Sequence, residues 1–145
     1  AGAHGCDHPI LYNQDDFADR TREITGGKGV DVVYDSVGQA TFMKSLDCLR
    51  PMGMMVSFGQ ASGLVPPIDP GLLSAKGSLF LTRPTLMTYT AKREALLEHA
   101  RDLFNVVESG TVKIEVRQTY PLAEAARAHQ DLEARKTTGS TVLLP

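Results

Sequence analysis

The chain alternates short runs of apolar, β-branched residues with longer amphipathic stretches. The run Val30–Asp35 predicts a buried parallel strand, and similar runs predict strands over residues 54–58 and from Ser78 to Thr82. A further apolar run, over residues 8–12, predicts one strand before them. Because such strands alternate with helical stretches, the pattern indicates β/α units in an open, doubly wound parallel sheet of the α/β class.

Capping residues and helix breakers set the predicted helix ends in the first half of the chain. Asp15 or Asp16 is placed to cap a first helix, which Gly26 and Gly27 end. A second helix is expected to carry three apolar residues on one face and to stop at a proline and a glycine, namely Phe42, Leu46, Leu49, Pro51 and Gly53.

The second half of the chain contains the longest predicted helix, over residues 91–109. Its apolar stripe consists of Leu96, Leu97, Ala100, Leu103, Phe104 and Val107. Residues 113–120 alternate apolar and polar positions, which predicts a strand with one solvated face. Pro121 opens a further helix, and residues 141–144 form a last strand, so the chain ends in a β-α-β unit.

Composition and charge exclude several classes of protein. The 145 residues are 42% hydrophobic and 22% charged, which is typical of a folded domain rather than a disordered chain. The net charge is −2 and no basic tract or long apolar stretch is present, which argues against nucleic acid or a membrane as partner. Cys6 and Cys48 are expected to be reduced thiols in a cytoplasmic protein. His4 and His8 flank Cys6, but no rigid helix aligns them, so no metal site is expected.

Small polar residues and glycines follow three of the predicted strands. Ligands of doubly wound sheets bind outside the carboxyl ends of the strands, so three such turns together predict one shared crevice. Each turn alone also fits an ordinary β-to-α connection. No G-x-G-x-x-G loop is present, so spacing leaves the ligand open between a dinucleotide, S-adenosylmethionine and another nucleotide. The residues at these strand ends are Ser36, Val37, Gly38, Phe58, Gly59, Leu81 and Thr82.

Three further residues each have two interpretations. Asp35, at a strand end, fits a ribose ligand or a helix cap. Tyr12 fits a stacking or hydrogen-bonding role toward a ligand, or a half-buried surface position. Arg135, in the turn before the last strand, fits a phosphate clamp or a cation that balances a helix dipole.

A series of motifs runs in order through almost the whole chain. They are residues 24–38 (ITGGKGVDVVYDSVG), 45–49 (SLDCL), 56–59 (VSFG), 76–84 (KGSLFLTRP), 120–122 (YPL), 128–129, 132–135 and 139–140. Together they resemble the quinone oxidoreductase, or zeta-crystallin-like, branch of the medium-chain dehydrogenase/reductase superfamily. The resemblance implies an enzyme that reduces quinones or enones with hydride from NADPH and without zinc. Two rival interpretations stay open, a non-catalytic nucleotide-binding or dimerisation module and an S-adenosylmethionine-dependent methyltransferase.

The resemblance also implies a role for each candidate residue, all of them in binding the cofactor and none catalytic. Tyr12 would contact the adenosine phosphate end of NADPH, and Arg135 would reach a cofactor phosphate. The adenine or ribose side would be lined by Ser36, Val37 and Gly38. The nicotinamide ribose would lie by Phe58 and Gly59, with Leu81 and Thr82 nearby.

The resemblance finally implies how the chain is organised. Residues 1–112 would be the C-terminal part of a nucleotide-binding domain, and residues 113–145 a tail that packs on a catalytic domain. The glycine loop, the first two strands of the sheet and the catalytic domain are expected before Ala1, which makes the fold a partial Rossmann-like sheet and leaves the chain alone inactive. The strand from Ser78 to Thr82 is expected at a sheet edge, where it would pair with its twin in a homodimer.

Overall fold

The computed structural model describes all residues from Ala1 to Pro145, and the chain divides into two compact units, Ala1–Thr88 and Tyr89–Pro145. The first unit is a three-stranded parallel sheet in the order β1-β2-β3. Its elements are α1 (Phe17–Ile24), β1 (Val30–Asp35), α2 (Phe42–Asp47), β2 (Leu49–Ser57), α3 (Gly71–Ala75), β3 (Phe80–Thr82) and a short α4 (Leu86–Tyr89), whose last residue is the first of the second unit in sequence.

The second unit contains a two-stranded parallel sheet, which confirms the predicted C-terminal β-α-β unit. Its elements are α5 (Arg93–Glu108), β4 (Val116–Pro121), a 3-10 turn (Leu122–Glu124), α6 (Ala125–Glu133) and β5 (Ser140–Leu144). Gly110, at φ 73°, follows α5 as a left-handed glycine. The predicted domain boundary at residue 112 concerns the intact protein and stays a prediction.

The first helix begins as its sequence predicts. Asp16 accepts hydrogen bonds from the backbone of Ala18 at 3.0 Å and of Asp19 at 3.3 Å, so it is the cap of α1. Past the end of that helix, Gly26 and Gly27 have φ values of 59° and 81°, a left-handed conformation that glycine adopts without strain.

Two secondary-structure predictions about the first unit were wrong. Residues 8–12 form no strand, because no neighbouring strand offers them backbone partners. The second helix ends at Asp47, and Leu49 begins β2 instead of extending the helix. Pro51 and Gly53 lie inside β2, where the register against β1 shifts between Val30 and Val32. Proline is tolerated in a strand at such a bulge, since the ladder is locally interrupted.

The core of the first unit lies between one face of the sheet and α2. Its buried members are Phe42, Leu46, Leu49, Met55 and Leu79. Leu46 and Met55 are the largest side chains that are fully buried. Burial of each such side chain contributes about 1.5–3 kcal/mol, which makes this cluster the main apolar support of the sheet.

One row on the opposite face of the sheet is open, although the valine-rich strands predict burial on both faces. Val32, Met54 and Phe80 lie in one row across the three strands and are 38%, 40% and 58% exposed. Tyr34, on the same face of β1, is also exposed. The composition of a strand shows that both of its faces can be buried. It does not show which face another helix or strand actually covers.

The carboxylate of Asp35 joins β1 to α2. Four donors reach it, the backbone N–H groups of Val37 (2.8 Å) and Gly38 (3.0 Å) and the hydroxyls of Thr41 (2.8 and 3.0 Å) and Ser45 (2.8 Å). Burial raises the pKa of this carboxyl, but the hydrogen bonds outweigh it and hold the pKa below its ordinary value. The helix-cap interpretation of Asp35 is wrong, because the N-cap of α2 is Thr41 and the backbone donors to Asp35 lie in the turn before that helix. The ribose interpretation stays a prediction.

We expect Asp35→Asn to lower the free energy of unfolding of the 145-residue chain by about 2–3 kcal/mol at pH 7, measured by urea denaturation. An amide would place an NH₂ group against donors and leave some of them unpaired. Because the folded-state pKa is depressed, the ionised carboxylate stabilises the fold above pH ~3.9 and this contribution is lost as the pH falls through the folded pKa. In the Asn variant the free energy of unfolding should lack this pH-dependent contribution.

Asp31→Asn, which removes an exposed ion pair with Arg50, is the matched control. An equal loss of stability in both variants would contradict the role assigned to Asp35.

Candidate functional site

The carboxyl ends of all three strands of the first unit lie along one edge of the sheet. Asp35 pairs with Ser57, and Val56 pairs with Thr82, so the residues that follow β1 and β2 lie side by side next to the end of β3. The structure therefore brings together the turns that carry Ser36 and Phe58, as expected for parallel crossover units.

The turns after β1 and β2 are in direct backbone contact. The N–H groups of Phe58 and Gly59 both reach the carbonyl oxygen of Asp35, at 2.9 and 3.2 Å. A Cβ atom on Gly59 would lie 2.3 Å from the carbonyl oxygen of Ser36, and one on Gly38 would lie 2.7 Å from that of Gly63. Both glycines are thus required by close approach, and Gly38 in addition by its φ of 88°.

A cleft of about 270 Å³ opens beside the first of these turns, within reach of Tyr12. Its wall includes the side chains of Tyr12 and Tyr34 and the turn residues Ser36 and Val37. Phe17 of α1 also lines it. The cleft therefore groups three of the predicted cofactor residues, combining aromatic rings with a hydroxyl and backbone groups that suit a nucleotide.

The remaining candidates of the first unit lie at the end of β3. Leu81 and Thr82 belong to the strand itself, and Leu81 is 39% exposed. The next residue, Arg83, donates from Nη1 to the carbonyl oxygen of Ser57 at 2.8 Å. This bond ties the end of β3 to the end of β2 directly before Phe58.

Arg135 belongs to the second unit, in the turn between α6 and β5. It has a φ of 57° and an exposed side chain, and its N–H donates to the carbonyl oxygen of Leu132 at 3.0 Å. Beside this turn, Asp131 accepts from the Tyr120 hydroxyl at 3.0 Å and from Lys136 at 3.3 Å, and these two bonds hold the pKa of the Asp131 carboxyl below its ordinary value. These bonds therefore hold the segment at the start of the turn that carries Arg135.

Sequence reasoning missed the residues that hold the site together. Thr41 and Ser45 bind the Asp35 carboxylate, Arg83 binds Ser57, and Ser62 bonds to the turn after β1. The glycine at 59 is the one available signal, since it indicates that another backbone segment approaches closely, here at Ser36.

No three His, Cys, Asp or Glu residues are grouped in a way that could hold a metal ion. None of the helices combines the length and the apolar character that a membrane span requires.

Comparison with known proteins gives sequence matches that cover almost the whole chain. The family described as zinc-binding dehydrogenase matches residues 4–143. Quinone oxidoreductase of Pseudomonas aeruginosa is 52% identical over 145 residues, which is 100% of this chain and 45% of that protein. 2-Haloacrylate reductase of a Burkholderia species is likewise 52% identical, over 97% of this chain and 43% of that protein.

Solved structures agree with the fold. Escherichia coli quinone oxidoreductase complexed with NADPH is 51% identical with a TM-score of 0.88, over 94% of this chain and 42% of that one. Quinone oxidoreductase of Pseudomonas syringae is 44% identical with a TM-score of 0.93, over 99% of this chain and 44% of that one. The chain spans less than half of these relatives, and the predicted partial Rossmann-like fold is confirmed. The match to quinone oxidoreductases covers the C-terminal part of those proteins, and the parallel sheet and the order of the motifs agree with it. The chain therefore belongs to the zinc-binding dehydrogenase family, in the medium-chain dehydrogenase/reductase superfamily.

Proposed function

We propose that this chain is part of an NADPH-dependent quinone oxidoreductase and supplies one side of the cofactor cleft. The observation that carries the proposal is the alignment of three strand ends along one edge, with two turns so close that Gly59 admits no side chain. Relatives of this sequence at about 50% identity are named quinone oxidoreductases. The structures of Escherichia coli quinone oxidoreductase and of a mycobacterial protein, each 51% identical to this chain, are described as complexes with NADPH.

The residues present fit a dinucleotide. Ser36 is exposed after β1 and offers one hydroxyl for a ribose, and Phe58 is half exposed after β2. We assign the adenosine phosphate end of NADPH to Tyr12 and a cofactor phosphate to Arg135. The adenine or ribose side is assigned to Ser36, Val37 and Gly38, and the nicotinamide ribose to Phe58 and Gly59 with Leu81 and Thr82 nearby.

In this proposal the chain positions the cofactor and excludes water, while bound NADPH supplies the hydride for a quinone or enone acceptor. Rigid turns favour hydride transfer because donor and acceptor must be held close together in a fixed orientation. The hydrogen bonds of Asp35 and Arg83 give the crevice that rigidity from both sides. No side chain here is proposed as a general acid or base. The cytoplasmic location stays a prediction.

The 145-residue chain is expected to show no quinone reduction with NADPH and only weak NADPH affinity. It contains no G-x-G-x-x-G loop, so it lacks the helix N-terminus that binds a pyrophosphate. The measurement is NADPH oxidation, followed by absorbance, with and without a quinone. Turnover comparable with that of an intact quinone oxidoreductase would contradict the prediction.

A thermal-shift series on the protein extended upstream of residue 1 separates the proposal from its rivals. Stabilisation by NADPH supports the oxidoreductase, stabilisation by S-adenosylmethionine supports a methyltransferase, and no response to either supports a non-catalytic module.

Gly59→Ala should abolish the close contact of the two turns and weaken NADPH binding by more than about tenfold, since the new Cβ would meet the Ser36 carbonyl oxygen at 2.3 Å. Titration of the extended protein with NADPH, followed by fluorescence, measures this. Gly2→Ala is the control, because a Cβ there meets nothing within 4 Å. Unchanged affinity in Gly59→Ala would remove this turn from the proposed site.

We further propose that the protein forms a homodimer through the strand from Ser78 to Thr82. β3 is the last strand of the sheet, and its Phe80 is 58% exposed. An exposed strand edge offers backbone groups to a second copy.

Light scattering at micromolar concentration should give the mass of a dimer for the unmodified protein and of a monomer for Phe80→Lys. Lysine at a strand edge opposes edge-to-edge pairing through its charge and its hydration. Tyr34→Lys introduces the same charge on β1, at the opposite edge of the sheet, and should leave the dimer intact. Monomers in all three samples would refute the edge-strand dimer.

A further inference from the structure

Two segments face each other across the turns described above. We name residues 36–40 the first wall and residues 58–63 the second wall. Backbone hydrogen bonds join them along their length, from Ala61 N to Ser36 O (3.2 Å), from Ser62 N to Val37 O (2.8 Å) and from Gln39 N to Gly63 O (3.1 Å). Each wall carries residues of the proposed cofactor site, so the contact between the walls fixes where those residues lie relative to each other.

The side chain of Ser62 adds two bonds between the walls. Its Oγ donates to the carbonyl oxygen of Val37 at 2.8 Å and accepts from the N–H of Ala40 at 2.9 Å. The hydroxyl therefore bridges both ends of the bend in the first wall, 22 and 25 residues away along the chain. Its one donor is used and faces protein, not a ligand.

We infer that Ser62 is a positioning residue of the NADPH site, an inference that rests on the proposed function. By holding Val37 and Ala40 at fixed distances, its hydroxyl keeps Gly38, which lies between them, against the second wall. There the Cα of Gln60 would come within 2.9 Å of any Cβ on Gly38. Loss of the hydroxyl lets the first wall move away from Phe58 and Gly59, which changes the fit of the cofactor without removing a group that contacts it.

The test uses the full-length protein with three substitutions, Ser62→Ala, Ser62→Thr and the control Ser74→Ala. Ser74 is an exposed serine of α3 in the same unit. Ser62→Ala should raise the Kd and the KM for NADPH about fivefold, a fold-change equivalent to one net hydrogen bond, and change kcat less than twofold. Ser62→Thr keeps the hydroxyl and should restore most of the affinity, and Ser74→Ala should match the unmodified protein.

Hydrogen exchange gives a readout independent of turnover. The Ala40 amide should exchange faster in Ser62→Ala, since it loses its acceptor, whereas amides of β2 should keep their rates. If the alanine variant does not fold, Ser62→Cys, of similar size with a weakly bonding thiol, should show the same direction of change in both measurements.

The outcomes separate this inference from the proposed function. If the unmodified protein binds NADPH and Ser62→Ala binds it equally well, Ser62 is not a positioning residue and the proposed function stands. If Ser74→Ala weakens NADPH binding as much as Ser62→Ala, the effect is not specific and the inference fails in the same way. If the unmodified protein does not bind NADPH, the proposed function fails and the inference fails with it.

Discussion

A buried carboxylate stands at the point where β1, α2 and the turn between them meet, and the candidate site depends on it. The charge of Asp35 is stable in a buried position because backbone and hydroxyl donors surround it. Those donors include the N–H groups of Val37 and Gly38. The hydrogen bonds that offset the desolvation of the buried carboxylate therefore also fix the turn. The backbone carbonyl of Asp35 meanwhile accepts from Phe58 and Gly59. One residue thus orients both turns of the crevice.

The crevice is organised mainly by backbone rather than by side chains. Close approach at Gly59 and Gly38 lets two strand ends share carbonyl and amide groups, and Ser62 and Arg83 add side-chain bonds at the two sides. A site of this kind can be narrow and rigid while it carries few reactive groups, which suits a protein in which a cofactor performs the chemistry.

Much of this architecture could be predicted from local pattern. The β-branched run of β1, the Asp16 cap of α1 and the amphipathic period of α5 are decided by residues close in sequence, and all three were predicted correctly. The missing strand over residues 8–12 could not be predicted from its own composition, because pairing depends on neighbours that lie elsewhere in a fold. Pro51 and Gly53 in the bulge of β2 predict a helix stop from sequence, since proline and glycine are typical of helix ends and of bulges alike. The site residues Thr41, Ser45 and Ser62 were missed because an isolated hydroxyl carries no periodic signal.

The open face of the first unit has a thermodynamic consequence. Val32, Met54 and Phe80 are already in contact with water in the folded chain, so unfolding exposes less new apolar surface there than in a sheet covered on both sides. The heat capacity increment of unfolding grows with newly exposed apolar area. For this unit it should therefore fall below the usual ~12–15 cal/mol/K per residue, which flattens the curve of folding free energy against temperature. Any element that covers this row of side chains would increase the heat capacity increment and steepen that curve. Calorimetry would detect the increase even where the enthalpy of unfolding at the midpoint changed little.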